Sequence, residues 1–244
     1  MRKIVITTVA IAGVALMALS GCSSRDAGAG SSGAPAAGFK AGSIIGVALP
    51  DKTSENWVLA GKLFTDAIEK AGFKADVQYA PATNTAAEQA NQISAMITKG
   101  DKVVVIGAKD GKQLGPQTKA AAAAGTKVIA YDRLIQDTKN VDYYVAYDNE
   151  KVGELQGQAL LDGMKARFPD AKTYNVELFS GSSDDANAPV FFNGAMKVLE
   201  PKIKDGTVKV VSGQVDIKQT ATAGWLAQNA QTRMDTLLAA SYSG

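Results

Sequence analysis

From residue 43 onward, short unbroken apolar runs alternate with longer segments whose apolar residues recur at helical spacing. "SIIGVAL" (43 to 49) is such a run and predicts a buried strand. After it, Trp57, Ala60, Phe64, Ala67, Ile68 and Ala71 fall on one face of a helix that Gly72 stops. "FKADVQYA" alternates as a second strand. Ala86, Ala90, Ile93, Met96 and Ile97 then share a side of a helix running from about Thr85 to Lys99. "KVVVIGA" has the all-apolar character of a strand covered on both faces. A helix through "AAAAAG" and the strand "KVIAY" complete a β-α-β-α-β-α-β series.

A second series follows. "VDYYVAYD", "TYNVELFSG" and "TVKVVS" read as strands; "NEKVGELQGQALLDGM", "APVFFNGAMKVL" and "GWLAQNAQTRMDTLL" read as helices. Strict alternation of this kind predicts an α/β protein with parallel sheets and helices on both faces, in two doubly wound lobes. The boundary falls near Tyr147 to Asn149, giving lobes over 43–147 and 148–244. The pattern closes on a helix and "AASYSG" where a strand would follow, so the second lobe and its closing segment are expected to be incomplete.

The start of the chain changes the picture of where the protein works. Arg2 and Lys3 precede the apolar run "IVITTVAIAGVALMA", which has the length of a signal-peptide core and is too short for a comfortable membrane span. "LSGC" then resembles a bacterial lipobox. The resemblance implies a leader over 1–21 and lipidation of Cys22, the single cysteine, which anchors the protein to the cell membrane on its extracytoplasmic side, in the periplasm or on the outer face. Residues 22–42 are mostly Ser, Gly and Ala, a composition that cannot bury apolar surface and serves as a flexible tether.

Composition removes several classes of function. Without Arg2 and Lys3 the basic and acidic counts are equal, so no basic field points to nucleic acid. There is no histidine, which excludes His-based triads, His general bases and His metal ligands. Asp184 and Asp185 are adjacent on a loop and cannot straddle a glycosidic bond. With Asn187 they form an oxygen-rich loop, but the spacing lacks the alternate-position ligands and distal Glu of a calcium loop. Neither an enzyme, nor a metal, nor a cofactor is expected.

What remains is binding. In open parallel sheets, ligands sit beyond the carboxyl ends of the strands. "PDKTSENW" follows the first strand, "KDG" the third, "DR" the fourth, "YDN" the fifth and "GSSDDANA" the sixth, while Trp225 opens the last helix. Planar polar groups with paired hydrogen-bonding atoms, together with indoles that lie against a flat apolar face, suit a carbohydrate.

Four motifs in order, "VIAYDRLI", "YDNEKVGELQ", "GSSDDANA" and "FFNGAMKVLEP", resemble the periplasmic sugar-binding proteins of ABC importers, in the xylose-binding and multiple-sugar-binding branch. The resemblance runs from about Ser43 to the end. It implies the type I periplasmic binding protein fold, a monosaccharide of the xylose, glucose, galactose or arabinose type held between the lobes, closure by a hinge, ABC permease subunits as partners, and a monomer. Its ligand contacts fall on Trp57, Asp132, Arg133, Asp148, Asn149, Asp185, Asn187 and Trp225. Where the family often has Arg-Trp, this chain has Asn56-Trp57, so a charged donor is absent. A sugar-sensing lipoprotein serving a chemoreceptor or kinase would use the same cleft.

Other roles compete at several of these positions. Asp132 and Arg133 also fit a solvated ion pair, and Asp148, Asn149 and Asn187 are good helix caps. Trp57 lies on its helix's apolar face, so core and stacking roles are both open for it, as they are for Trp225. Lys109 and Asp110 are further candidates for the rim.

Overall fold

The structure is a computed structural model and describes residues 38–81 and 86–242. Cys22, the leader, most of the tether and the expected helix start at Thr85 lie outside the described residues.

The first series folds as expected into one parallel sheet. Its elements are β1 (Ile44–Leu49), α1 (Glu55–Lys70), β2 (Lys74–Tyr79), α2 (Ala86–Lys99), β3 (Val103–Ile106), α3 (Gly115–Ala124) and β4 (Lys127–Tyr131), and β5 (Tyr143–Val145), the first strand of the second series, joins the same sheet. The strand order is β2-β1-β3-β4-β5, with every pairing parallel. Side chains alternate across each strand, which divides the core in two. Val47, Leu49, Val103 and Val105 pack with Trp57 and Ile68 of α1. Ala48, Val104, Ile106, Val128 and Ala130 pack on the opposite face with Ile93 and Met96 of α2 and Ala121 of α3. Strand order reverses between β1 and β3, and their carboxyl ends diverge into a crevice there.

The second series is shorter in its strands than the sequence predicts. "VDYYVAYD" forms only the three-residue β5, which pairs with β4 at the edge of the first sheet. "TYNVELFSG" narrows to β6 (Tyr174–Val176), which pairs with β7 (Val208–Val210); further along, Ser180 makes an isolated parallel bridge to Ala221. α4 (Asn149–Arg167) and α5 (Asn187–Lys204) lie against each other and close over Leu178, Leu199 and Val210. Their backbones approach through glycines: a Cβ at Gly153 would stand 2.1 Å from the carbonyl oxygen of Phe191.

Two details differ from the expected helix over 224–238. Gly224 and Trp225 have φ of +62° and +57°, so the chain makes a 3-10 turn at Ala223–Trp225 and α7 begins only at Ala227. A short α6 (Ile217–Thr220) precedes it, started by a capping box between Asp216 and Gln219. Arg233 then pins α7 down, donating to the Leu178 carbonyl and to Gln214, both at 2.7 Å.

Candidate functional site

The strand-end loops of the first sheet face the loop before α5 and the turn before α7 across a cleft of about 650 Å³. Of the sequence-predicted residues, Trp57, Asp132, Arg133, Asp185, Asn187 and Trp225 line it; Asp148 and Asn149 do not. Lys109 lines it as well, while Asp110 turns back to its own loop, accepting from the Lys112 amide at 2.9 Å.

Asp132 occupies the tightest piece of backbone. Its φ is +63°, and the Arg133 amide donates to the Tyr131 carbonyl at 2.7 Å, a turn that costs strain in any residue but glycine. Three contacts hold it there: its amide donates to the Val145 carbonyl at 2.8 Å, and its carbonyl accepts from the Asn187 side chain at 3.0 Å and from the Tyr144 hydroxyl at 3.1 Å. Its carboxyl lines the cleft with no hydrogen-bond partner among the described residues. Burial pushes that carboxyl above its ordinary pKa; Arg133 opposes the shift and Asp185 adds to it.

Arg133 is buried, so the solvated-pair alternative does not hold. Its Nη1 donates to the Ala108 carbonyl at 3.1 Å, its Nε stands 3.0 Å from Asp185, and its guanidinium carbon lies 5.4 Å from the Trp57 ring centre. Trp57 meets Tyr131 edge-on at 6.3 Å and is only 5% exposed; it is a core residue that also lends its rim to the cleft. Trp225, 43% exposed, is the open indole. Gly181 makes room for it, since a Cβ there would lie 2.0 Å from the ring.

Asp185 organises the facing wall. One carboxylate oxygen accepts from the Asn187 amide at 2.9 Å; the other accepts from Trp225 Nε1 at 3.0 Å. Asn187 is not a cap, because Ala186 precedes the helix in that position and Asn187 lies inside α5. Its amide instead spans the cleft floor, donating to Asp132 and accepting from Asn149 at 2.8 Å. Asn149 therefore stands behind a cleft residue. Asp148 is the cap of α4, accepting from the Lys151 amide at 3.0 Å.

Sequence reasoning did not single out Asp51 or Phe191, both of which line the cleft. Asp51 carried a signal, since it follows β1 almost directly. Phe191 carried none, because on a helix it reads as core. Asp51 lies 3.4 Å from Lys109. Although burial pushes the Asp51 carboxyl up, hydrogen bonds from Thr53 and the charge of Lys109 hold it below its ordinary value. Among the described residues, no group of three or more His, Cys, Asp or Glu could hold a metal ion.

Two parallel α/β units presenting strand-end loops to a shared polar cleft with an open indole have the form of a protein that captures a small polar ligand. Residues 45–244 match the periplasmic binding protein domain family, and the chain belongs to it. It is 44% identical over 200 residues to the multiple sugar-binding periplasmic receptor ChvE of Rhizobium radiobacter, covering 82% of this chain and 55% of that protein. It is 40% identical over 198 residues to the D-xylose-binding periplasmic protein of Escherichia coli (strain K12), covering 81% of this chain and 55% of that one. A solved ABC transporter solute-binding protein from Clostridium phytofermentans, with bound β-D-glucose, superposes with a TM-score of 0.76 at 39% identity, covering 82% of this chain and 61% of that structure. The chain thus spans about half the length of the curated relatives it matches.

Proposed function

We propose that this protein captures a monosaccharide of the xylose, glucose, galactose or arabinose type in the cleft and delivers it to the permease subunits of an ABC importer, with no chemistry performed on the sugar. The observation that carries this reading is the convergence of Asp132 and Arg133 from one side with Asp185, Asn187 and Trp225 from the other on a single cleft. Carboxylates and amides suit ring hydroxyls, and the exposed indole suits a C–H face. The names of the relatives support the same ligand class.

The energetics are adequate. A micromolar affinity corresponds to about 8 kcal/mol, and hydrogen bonds to charged groups contribute roughly 1.5 to 3 kcal/mol each. A few such bonds and one stacked ring exceed the cost of ordering the site. A sugar lacking one hydroxyl leaves a buried group unpaired and is rejected.

In this reading residues 43–147 and 148–244 are the two lobes, and the protein works as a monomer outside the cytoplasm, held to the membrane by a lipid on Cys22. Replacing Cys22 with Ser should release it from the membrane fraction. Tryptophan fluorescence of the protein, titrated with D-xylose, D-glucose, D-galactose and L-arabinose, tests the ligand. A saturable change with at least one of them is expected, and a flat response to all four from a cooperatively melting protein defeats the proposal.

A second reading, sensing in place of transport, is favoured by the designation of the Rhizobium relative as a receptor. Copurification with permease subunits from membranes separates the two.

A further inference from the structure

The segment Gly107–Lys109, between β3 and α3, touches three separate parts of the cleft. Gly107 packs against Trp57, so closely that a Cβ there would lie 3.1 Å from the indole. The Ala108 carbonyl is the acceptor for Arg133 Nη1 at 3.1 Å. Lys109 carries the ion pair with Asp51. Whatever fixes these three residues therefore sets the Trp57 contact, the Arg133 anchor and the Asp51 pair together.

The fixing comes from Gln89 on α2, whose side chain is wholly buried behind the cleft and is not among the residues lining it. Its Oε1 accepts from the Lys109 amide at 2.8 Å, and its Nε2 donates to the Gly107 carbonyl at 2.8 Å and to the Ala48 carbonyl at 3.4 Å. Beyond Gly107 N–H to Ala48 the strand ladder ends, so the backbone groups of the segment have no strand partner. One primary amide supplies the missing donor and acceptor at the point where β1 and β3 part. Buried backbone groups need such partners, and an apolar residue would leave two of them orphaned.

We propose that Gln89 is a positioning residue for the cleft: its amide locks Gly107–Lys109 and, through that segment, sets Arg133, Trp57 and the Lys109–Asp51 pair in the geometry that binds ligand. This rests on the cleft being the sugar site, and the experiment separates the two ideas. Gln89→Met keeps the volume and removes both hydrogen-bonding functions. Ile93→Ala, one helical turn along α2 in the same core, serves as a control that destabilises the fold without touching the segment.

In the ligand-free chain, amide hydrogen exchange should accelerate at Lys109 by tenfold or more in Gln89→Met and not in Ile93→Ala. In titrations with D-glucose and D-xylose, Kd should rise by about tenfold in Gln89→Met, the equivalent of one lost hydrogen bond to a charged group, and stay within twofold in Ile93→Ala. Unchanged exchange at Lys109, unchanged affinity, or an equal loss in Ile93→Ala overturns the proposal. If the unmodified protein binds neither sugar but binds D-galactose or L-arabinose, the affinities are compared with that sugar; if it binds none of the four, the ligand assignment is what fails, and the exchange comparison alone decides the role of Gln89. Should Gln89→Met not fold, Gln89→Asn, an amide too short to span both partners, takes its place with the same expectations.

Discussion

The Nε of Arg133, at the end of β4, stands 3.0 Å from Oδ2 of Asp185, ahead of α5, with the two side chains only 11% and 3% exposed. The charges are in contact, but the Nε–H is not aligned on the carboxylate and has no hydrogen-bond partner among the described residues. Removing one member of a buried pair strands the other, which costs about 3 to 5 kcal/mol. Asp185→Ala should therefore lower unfolding free energy by about that much in urea titrations and abolish ligand binding. Asp185→Asn, which keeps an acceptor for Trp225, should be milder on both counts. A loss well under about 1 kcal/mol in the Ala variant would show the pair to be solvated and unimportant.

Trp225 depends on the absence of a side chain at Gly181. Its Nε1 reaches Asp185, and the Gly224 amide donates to Ser182 at 2.8 Å, so the turn and the ring are fixed from both sides. Gly181→Ala places a Cβ 2.0 Å from the indole and must displace it. Expected results are a red-shifted emission and sugar affinity weakened by roughly tenfold. Gly163→Ala, where a Cβ meets nothing within 4 Å, should change neither and should add about 0.5 to 1 kcal/mol of stability. Unaltered emission from Gly181→Ala would rule out the fixed indole.

Asp148 and Asn149 are neighbours with separable roles. Asp148→Ala removes the α4 cap and should cost about 1 kcal/mol of stability, with ligand affinity held within about twofold. Asn149→Ala releases the Asn187 amide that bridges to Asp132, and should weaken binding more than it lowers stability. Abolished binding in Asp148→Ala would instead establish a direct ligand contact for that carboxylate.

Asp101 carries a cost that pH can reveal. It is fully buried, and neither carboxyl oxygen has a hydrogen-bond partner among the described residues. Burial raises its pKa, the Lys99 charge opposes the shift and Asp76 adds to it. The folded state thus holds its proton more tightly than the unfolded chain, and stability falls as pH rises from the ordinary carboxylate value through the raised one. Asp101→Asn should be more stable than the parent at pH 7, by roughly 1 to 2 kcal/mol, with the advantage shrinking as pH falls toward 4. Denaturant titrations across that range check it, and an advantage independent of pH would exclude the carboxyl as the source.

Much of the fold was legible because the first lobe is all local signal. β1, β3 and β4 are apolar on both faces because helices cover both, and Gly72, Gly100 and Gly125 end α1, α2 and α3 at positive φ. In the second lobe the signal weakens. "VDYYVAYD" and "TYNVELFSG" have strand composition over eight and nine residues, yet only three of each form a strand, because pairing depends on a neighbouring strand and not on the residues themselves. The break at Gly224 and Trp225 was equally hidden, since "GWLAQ" is compatible with a helix.

By itself the sequence determined the α/β alternation, the placement of Asp132, Arg133, Asp185 and Asn187 in the segments after strands, and the exclusion of His-based chemistry, because periodicity and residue type are local properties. Only the tertiary structure decided what those side chains do. It buried Arg133 against Asp185, gave the α4 cap to Asp148, placed Asn149 behind Asn187, and brought Gln89 to the end of the β1–β3 ladder. The physical reason is that a side chain's role follows from which unsatisfied group it meets, and apart from the local cap at Asp148 the groups met here are brought together by the fold from separate elements of the chain.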